Sequence, residues 1–391
     1  MRVGFDARTI DASGIGTYTR NLLLRLARAD ADFVIFSRDV SKSLVPQGPR
    51  FTLVSVNADP TSWTGGTAFR RAAAEAGIDL LHVPGHLTTI PEDILTVTTV
   101  HDVIPLIYPR SIRNPLGRVH YRRRLHQAVE RSAVLITVSR ISQSTLTAYA
   151  GVDPHRVRVI YNGVSEQFHP VADAEELASV RRRYALPDRF ALWIGDFRPE
   201  KNLEFLVQSW ALVRGRVDPD LHLVMAGTQS GEFFKIRREV VRRGLESQIH
   251  FPGYIRDDDL AALYSAAEMF VFPSLYEGFG LPPLEAMACG TPCVVSNSSA
   301  LPEVTGRAAM MFNPTEHDQL VECVKRVLSD QTLNSNLRKE GFAQAAKFSW
   351  EQAAAETLEV YAQVLGLEGG PSPGGSGRGG PSLGGSGHGG P

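Results

Sequence analysis

The sequence predicts an α/β protein made of two doubly wound domains, each a parallel sheet with helices on both faces. Two observations predict this fold class. Short apolar runs rich in β-forming residues alternate with helical stretches, and several runs are almost continuously apolar, as strands covered on both faces must be. The alternation stops at a polar stretch, residues 162–174, and then begins again. A chain of 391 residues has room for about two such domains.

The first domain is predicted to span residues 1–165, and its strands and helices alternate from the first residues onward. Its predicted strands are Arg2–Asp6, Phe33–Ser37, Phe51–Val56, Leu80–Pro84, Leu95–His101, Val134–Ser139 and Val157–Tyr161. Its predicted helices include Gly16–Arg28, Pro115–Arg131 and Arg140–Ala150.

The second domain is predicted to span residues 166–348 and repeats the same alternation. Its predicted strands are Phe190–Gly195, Leu221–Ala226, Ile249–Phe251, Met269–Phe272, Cys293–Ser296 and Ala308–Phe312. Its predicted helices are Asn202–Val213, Glu232–Arg243, Asp257–Ala266, Pro282–Ala288, Thr315–Ser329 and Gln331–Lys347. A final helix, Trp350–Leu365, forms most of a separate segment, residues 349–367.

The last part of the chain, residues 368–391, differs in composition from everything before it. A ten-residue repeat there holds 12 of the 35 glycines and has almost nothing to bury. We therefore predict a disordered tail that belongs to neither domain.

The run from Glu277 to Glu285 is the most informative segment. It reads Glu-Gly-Phe-Gly-Leu-Pro-Pro-Leu-Glu and lies between a predicted strand and a predicted helix. Pro282 and Pro283 are tolerated at a helix start, which would place Glu285 in the first turn. Free amides and the helix dipole favour an anion there, while the flanking carboxylates suit hydroxyl groups. A sugar nucleotide combines both, although a surface turn before an ordinary helix is the alternative.

A second segment, from Gly195 to Asn202, follows the first strand of the second domain. It places Arg198 and Lys201 at the C-terminal edge of the sheet, where a diphosphate would lie. Two cations there could neutralise charge on a departing diphosphate. A solvated loop with local ion pairs is the alternative. Only six of the 41 basic residues are lysine, so a lysine at this position carries more weight than an arginine.

Two segments of the first domain lie at the C-terminal ends of predicted strands and face the same cleft. Gly14 and Gly16 precede the first helix, but Thr19 stands where a dinucleotide fingerprint needs a third glycine. They therefore indicate close backbone approach to a ligand rather than NAD, or simply a turn. His101 could bind a sugar hydroxyl or a developing charge; a structural pairing with Asp102 is the alternative.

Composition argues against several other classes. The net charge of −1 does not indicate a nucleic-acid-binding protein. The acidic pairs at 30–32 and 257–259 lack acidic or histidine partners nearby in sequence, so we predict no metal site and no cofactor. Three cysteines, an odd number without metal-type spacing, and the absence of an export signal or a long apolar span lead us to expect a cytoplasmic protein.

One basic segment has two readings. Residues 110–131 hold seven arginines and two histidines against one acid, Glu130. Leu116, Val119, Leu125 and Val129 could form an apolar stripe between them, as in a helix that lies on an anionic membrane. An arginine-rich solvated helix explains the same residues, so contact with the membrane surface stays open.

Over residues 1–367 the chain resembles the retaining GT-B glycosyltransferases of family 4, which include mannosyltransferases of bacterial polysaccharide and lipid glycan synthesis. The Glu277–Glu285 spacing and the Arg198–Lys201 pair carry the resemblance. Further similar segments are Thr99–Pro105, Ile136–Ser142, Val159–Val164 and Leu301–Val304. Asn202 stands where many relatives have glycine. The resemblance implies two Rossmann-like domains facing a central cleft, with the final helix crossing back to the first.

The resemblance also implies roles for the site residues. Arg198 and Lys201 would hold the diphosphate of a nucleotide sugar, and Glu285 would bind its ribose. Tyr254 and Ile255 would lie at the nucleobase. The sugar would be contacted by Glu277, by the backbone of Gly278, Phe279, Gly280 and Leu281, and by His101. Gly14 and Gly16 would line the floor of the cleft.

From the resemblance we expect transfer of a hexose, best matched by mannose from GDP-mannose, to a glycan or lipid-linked acceptor with retention of configuration. Two alternatives stay open. An epimerase or hydrolase on the same fold would release nucleotide without an acceptor. A non-catalytic subunit would bind the nucleotide sugar and give no product. The sequence does not indicate the acceptor or the oligomeric state.

Overall fold

The computed structural model describes residues 1–12, 14–60, 62–112, 114–229 and 231–367. The tail predicted at 368–391 lies outside the described residues. Within the described part of the chain, thirteen strands form two parallel sheets. Their bounds are β1 Arg2–Asp6, β2 Asp32–Ser37, β3 Phe51–Ser55, β4 Leu80–Val83, β5 Thr96–Thr99, β6 Val134–Thr137, β7 Val157–Val159, β8 Phe190–Ile194, β9 His222–Ala226, β10 Ile249–Gly253, β11 Met269–Phe272, β12 Cys293–Ser296 and β13 Ala309–Phe312.

The first sheet has the order β3-β2-β1-β4-β5-β6-β7, and all its pairs are parallel. Alternate residues of β2 face opposite sides: Phe33 and Ile35 join one apolar cluster, while Val34 and Phe36 join another. This period of two explains why the strands read as continuous apolar runs, because helices cover both faces of the sheet.

The second sheet has the order β10-β9-β8-β11-β12-β13 and is also parallel. One apolar cluster surrounds it and includes the buried Trp193 and Trp210. The chain passes from the first sheet to the second between β7 and β8, and Phe168 already packs in the second core. Two parallel sheets of this kind confirm the predicted fold class.

Among the described residues, fourteen α-helices surround the sheets. They are α1 Gly14–Leu26, α2 Trp63–Glu75, α3 Ile104–Ile107, α4 Pro115–Arg131, α5 Arg140–Ala150, α6 Ala174–Arg183, α7 Leu203–Arg216, α8 Phe233–Arg242, α9 Leu260–Ala266, α10 Leu281–Ala288, α11 Leu301–Thr305, α12 His317–Ser329, α13 Gln331–Ala345 and α14 Trp350–Val364. None of the helices in this described part combines the length and the apolar character that a membrane-spanning segment requires.

The last helix, α14, packs against α1 of the first domain although the chain reaches it from the second. Trp350 and Tyr361 are buried in the first-domain core. Tyr361 Oη lies 2.5 Å from His82 Nδ1, and His82 Nε2 lies 2.8 Å from Thr99 Oγ1. The predicted return of the final helix to the first domain is confirmed, and a buried polar network fixes its position.

Candidate active site

The predicted site segments all follow strands at the C-terminal edges of the two sheets. In the first domain they follow β1 and β5; in the second they follow β8, β10 and β11. Residues of both domains meet there, because Gly278 after β11 contacts His101 after β5. Such an edge is where doubly wound sheets bind ligands, since the loops there are free to shape a cleft.

Lys201 and Glu277 form the central ion pair of the second domain. Lys201 Nζ donates to both carboxylate oxygens of Glu277, at 2.7 and 2.9 Å, and both side chains are largely buried. The ammonium also lies 5.4 Å from the centre of the Phe272 ring. The Glu277 amide donates to Ser299 Oγ at 2.8 Å. The pair brings together two residues that the sequence placed in separate segments, and it orients both towards the cleft end of β11.

Arg198 lies in the turn before Lys201 and is more exposed. Its guanidinium is 3.8 Å from Asp196 and 4.0 Å from Glu200, which are longer contacts than direct hydrogen bonds. Its side chain is 61% exposed, so it can move towards an anion at little cost. Arg198 therefore combines a fixed position in the backbone with a mobile charge.

Asn202 explains how the loop turns into α7. Its φ of 57° and ψ of 37° are left-handed, a conformation that glycine and asparagine adopt more easily than other residues. Its Nδ2 also donates to the carbonyl of Pro314 at 2.8 Å. Asparagine is thus a suitable residue for this left-handed position.

The prediction that Glu285 lies in the first turn of its helix is wrong. Gly280, with a φ of 115°, is the N-cap, so α10 begins at Leu281 and Glu285 is its fifth residue. Pro282 and Pro283 also lack N–H groups, so the expected anion cradle must take its amides from the loop, around Phe279, Gly280 and Leu281. The glycine-rich loop, rather than the helix start, is the donor-rich part of this segment.

Glu285 instead lies one turn further in and is held from α9. Tyr264 Oη donates to Glu285 Oε2 at 2.9 Å. Burial raises the pKa of Glu285 to about 7, and the charge of Asp257 adds to the shift while the bond from Tyr264 opposes it. A desolvated carboxylate is a strong acceptor for hydroxyl groups, so this geometry suits a ribose.

Replacing Glu285 with glutamine is expected to raise stability at pH 8 but not at pH 4. The pKa of Glu285 is higher in the folded chain than the ordinary 4.5, so folding binds a proton and stability falls as pH rises towards 7. A neutral glutamine removes this penalty, which is at most about 3 kcal/mol. Thermal unfolding across this pH range measures it; equal melting temperatures of the two proteins at pH 8 would contradict the raised pKa.

Tyr254 and Ile255, the predicted nucleobase contacts, differ in exposure. Tyr254 is 65% exposed, and its hydroxyl donates to Asp257 Oδ1 at 3.1 Å. The Ile255 side chain is buried in the core, so only its backbone can meet a ligand. At the end of β9, the backbone of Gly227 packs directly against the backbone of Gly195. A Cβ at Gly227 would lie 1.9 Å from the Gly195 carbonyl oxygen, so no side chain fits there.

Gly14 and Gly16 differ in what they permit. Gly14 begins α1 and is exposed, and a Cβ there would meet nothing within 4 Å. A Cβ at Gly16 would lie 2.4 Å from the Ile10 carbonyl oxygen, so only glycine fits. Gly16 is therefore explained by the packing of the turn, and Gly14 leaves the backbone open to the cleft.

His101 pairs with backbone rather than with Asp102. Its Nε2 donates to the Pro84 carbonyl at 2.9 Å, and its ring packs edge-on against Tyr18 with 4.7 Å between centroids. Burial lowers the pKa of His101 to about 4, although the bond to Pro84 opposes this shift. The ring is therefore neutral at pH 7, and its Nδ1 is the unprotonated nitrogen, which can accept a hydrogen bond from a sugar hydroxyl.

The glycine loop of the second domain is bound directly by the first domain. Ser139 Oγ donates to the Gly278 carbonyl at 2.6 Å, and Ser142 Oγ lies within 3.0 Å of the same oxygen and 2.9 Å of the His101 carbonyl. A Cβ at Gly278 would lie 2.5 Å from the His101 carbonyl oxygen. The first turn of α5 thus holds the donor-side loop against the histidine.

A second contact between the domains lies beside this loop. The carboxylate of Glu303 accepts from the amides of Arg140 and Ile141 at 2.9 and 3.3 Å, and from Tyr161 Oη at 2.8 Å. A residue of α11 in the second domain therefore caps α5 of the first. Negative charge is favoured at such a helix start.

Replacing Glu303 with alanine is expected to lower the free energy of unfolding by about 1 kcal/mol, as the loss of a helix cap does. Urea unfolding measures the change. Glu340→Ala is the matched control, because that side chain is exposed on α13. Equal midpoints for the two variants would show that Glu303 does not stabilise the contact between domains.

The other sequence features have local explanations. Asp259, in the acidic run at 257–259, is bound by Arg183, Tyr184 and Arg256. Within the described residues, no group of three or more His, Cys, Asp or Glu side chains is arranged to hold a metal ion. The three cysteines are buried and unbonded to one another, and burial raises the pKa of Cys323 to about 11.

The expected apolar stripe on α4 is divided between core and solvent. Leu125 and Val129 are buried, whereas Leu116 and Val119 are 77% and 65% exposed. The helical period places the two pairs on different sides of α4. Leu125 and Val129, in its C-terminal half, pack in the same apolar cluster as Leu135 of β6. The stripe is therefore wrong as a continuous surface, and only its first half faces outward.

Several residues at the site were not assigned roles from the sequence. Ser139, Ser142 and Glu303 lie in segments that carried the family resemblance, yet their pairing with Gly278 and α5 depends on how the domains meet. Tyr264 resembled any core aromatic residue. A serine at a helix cap is the signal that could have drawn attention to Ser139.

Comparisons with known proteins show the family of the chain. The profile "Glycosyltransferase Family 4" matches residues 12–168, and "Glycosyl transferases group 1" matches residues 179–344. The O-antigen chain mannosyltransferase B of Escherichia coli is 34% identical over 68% of this chain and 69% of its own length. The serotype-specific mannosyltransferase WbdA of the same species is 35% identical over 73% of this chain, which spans about a third of WbdA (36%).

Solved structures show the same fold. Sucrose-phosphate synthase of Thermosynechococcus elongatus superposes with a TM-score of 0.76 at 22% identity, covering 94% of this chain and 100% of that one. HepE of Anabaena, in complex with UDP and glucose, superposes at 0.75 with 17% identity, covering 93% and 100%. The two parallel sheets with their shared cleft are the GT-B fold, and the chain belongs to the family 4 glycosyltransferases.

Proposed function

We propose that this protein transfers mannose from GDP-mannose to a glycan or lipid-linked acceptor, with retention at the anomeric carbon. The observation that carries the proposal is the ion pair of Lys201 and Glu277 at the cleft edge of β11, beside the loop that contacts His101. The similarity to mannosyltransferases supports the choice of sugar. The Anabaena structure contains UDP, which has a uracil base. The guanine base is therefore part of our proposal and does not rest on that structure.

The chemistry follows from the positions of the charged groups. Arg198 and Lys201 neutralise the diphosphate as the bond to the sugar breaks, and the amides of the 278–281 loop add donors. Glu285 binds the ribose hydroxyls. When the Lys201 ammonium binds the phosphate, its bonds to Glu277 break. The carboxylate of Glu277 can then accept hydrogen bonds from the sugar.

The configuration is retained if the acceptor hydroxyl attacks the anomeric carbon of the donor sugar from the same face that the diphosphate leaves. The acceptor proton then passes to the departing phosphate oxygen, so no protein base is required. His101 is neutral at pH 7 and acts through hydrogen bonding at Nδ1. The work of the protein is positioning and charge stabilisation across a cleft that closes between two domains.

The test is transfer from GDP-mannose to an α-mannoside, followed by NMR of the anomeric proton. An α-linked product from the α-linked donor supports the proposal, and a β-linked product contradicts retention. Release of GDP and free mannose at the same rate with or without acceptor would favour a hydrolase. Binding of GDP-mannose without any turnover would favour a non-catalytic subunit.

We further propose peripheral contact with the cytoplasmic face of a membrane. Leu116 and Val119 are exposed on α4 beside the exposed Arg122 and Arg123, a combination that suits anionic lipid. Cosedimentation with vesicles containing phosphatidylglycerol tests the proposal. Binding that is lost on Leu116→Ser and Val119→Ser supports it; equal recovery with neutral vesicles contradicts it.

A further inference from the structure

A group of aromatic and acidic side chains lies beside the proposed donor site and is not used by it. We call Asp102, Tyr108, Tyr121, Glu200 and Tyr276 the tyrosine–carboxylate cluster. Tyr121 Oη donates to the Asp102 carbonyl at 3.4 Å, and the rings of Tyr108 and Tyr276 are 6.4 Å apart. Both domains contribute, because the turn Pro109–Ser111 packs on the turn Pro199–Lys201.

Glu200 is the least expected member of the cluster. It is 1% exposed, and its Oε2 has no hydrogen-bond partner among the described residues. Arg198 Nη1 is 4.0 Å from the other oxygen, beyond a hydrogen bond. A buried carboxylate oxygen without a donor is unfavourable, so the structure provides an acceptor for a group that is not part of the described chain.

His86, next to the cluster, has the same property. It is 8% exposed, its Nε2 has no partner among the described residues, and its ring packs edge-on against Tyr121 at 5.0 Å. Burial lowers the pKa of His86 to about 3, so the ring is neutral. Two buried polar atoms on opposite domains therefore lack partners around one group of aromatic rings.

The composition of the cluster defines the ligand class. The partly exposed ring of Tyr108 offers an apolar face with a polar edge, and carboxylates accept from hydroxyl groups, which together suit a sugar. Asp102, Glu200 and Glu277 bring three carboxylates together. Burial raises the pKa of Asp102, and the charges of Glu277 and Glu200 add to that shift while the charge of Lys201 opposes it. Lys201 neutralises one carboxylate through its pair with Glu277, and the remaining carboxylates disfavour an anionic group such as a phosphate or a uronate.

The cluster also lies next to the proposed donor site. Asp102 directly follows His101, and Glu200 directly precedes Lys201, which binds Glu277. A hydroxyl held by Asp102 would therefore lie beside the residues proposed to surround the donor sugar.

We propose that the tyrosine–carboxylate cluster, with His86, is the acceptor subsite and that it binds an uncharged sugar through its hydroxyl groups. This inference rests on the proposed transferase function. It names Glu200 and Tyr108 as specificity-determining residues for the acceptor, with no role in holding the nucleotide.

The experiment measures saccharide binding directly. The full-length protein, with and without GDP, is titrated with methyl α-mannoside and with mannose 6-phosphate, and saturation-transfer NMR follows each ligand. We expect the wild type to bind the neutral sugar and to discriminate against the phosphate. Glu200→Gln should reduce that discrimination about tenfold, because a buried carboxylate of the cluster is lost. Tyr108→Ala should weaken binding of the neutral sugar.

Glu204→Gln is the matched control, since Glu204 of α7 has a side chain that is 41% exposed and pairs with Lys235 of α8. Equal discrimination in the wild type and Glu200→Gln, an equal change in Glu204→Gln, or preference for the phosphate in the wild type would overturn the inference. GDP affinity separates the two proposals. If the protein binds the saccharide but not GDP, the proposed donor is contradicted. If it binds GDP but no saccharide, the proposed acceptor subsite is contradicted.

Discussion

Replacing Lys201 with alanine is expected to lower kcat/KM for transfer by a factor of about 100 to 1,000. The ammonium is the most enclosed cation at the proposed diphosphate position, and its charge stabilises the leaving group in the transition state. In the free protein it is bound by both oxygens of Glu277. Steady-state kinetics with GDP-mannose in excess measures the loss.

The same change leaves Glu277 without its partner, so stability must be separated from catalysis. Loss of one member of this buried pair is expected to cost about 1–3 kcal/mol. Lys201→Ala combined with Glu277→Gln removes the unpaired charge and should restore most of the stability while transfer stays low. Lys235→Ala is the matched control, because that lysine pairs at the surface with Glu204. Full transfer activity in Lys201→Ala would remove the residue from the diphosphate site.

Replacing Gly278 with alanine is expected to lower kcat at least about tenfold while GDP affinity changes less than about twofold. A Cβ there would lie 2.5 Å from the His101 carbonyl oxygen and 3.1 Å from Asp102 Cβ. Both are atoms of the first domain with no freedom to move aside. The extra methyl group therefore forces the domains apart and removes the Ser139 bond to Gly278.

Thermal unfolding should show a lower melting temperature for Gly278→Ala, because the methyl group strains the contact between the domains. Gly215→Ala is the control, because a Cβ on that helical glycine meets nothing within 4 Å. It should leave activity unchanged and increase stability slightly. If Gly278→Ala keeps the wild-type kcat and melting temperature, contact between this loop and the first domain does not limit transfer.

The sequence predicted the elements with strong periodicity well. The bounds of β1, β11, β12, α4 and α5 match their predictions. Helix α2 was not predicted, because Gly65 and Gly66 weaken its helical signal. Strand order followed from neither composition nor spacing, since it depends on which apolar faces pack together.

The site was predicted in part for the same reason. The resemblance implied that Lys201 and Glu277 contact one ligand, at its diphosphate and its sugar, and the structure shows the two side chains paired. The position of Glu285 was wrong by less than a helical turn, because the φ of Gly280 decides where α10 begins. The Ser139 bond joins residues far apart in sequence across two domains, so it depends on domain packing that local pattern does not encode.

The most direct test of the central claim is the thermal shift of the protein with GDP-mannose, beside UDP-glucose and ADP-glucose. We expect the largest stabilisation with GDP-mannose, about 2.7 kcal/mol at roughly 100 times its dissociation constant. We also expect Glu285→Ala to lose most of that shift. A larger shift with UDP-glucose would contradict the proposed donor, and an undiminished shift in Glu285→Ala would contradict the ribose site.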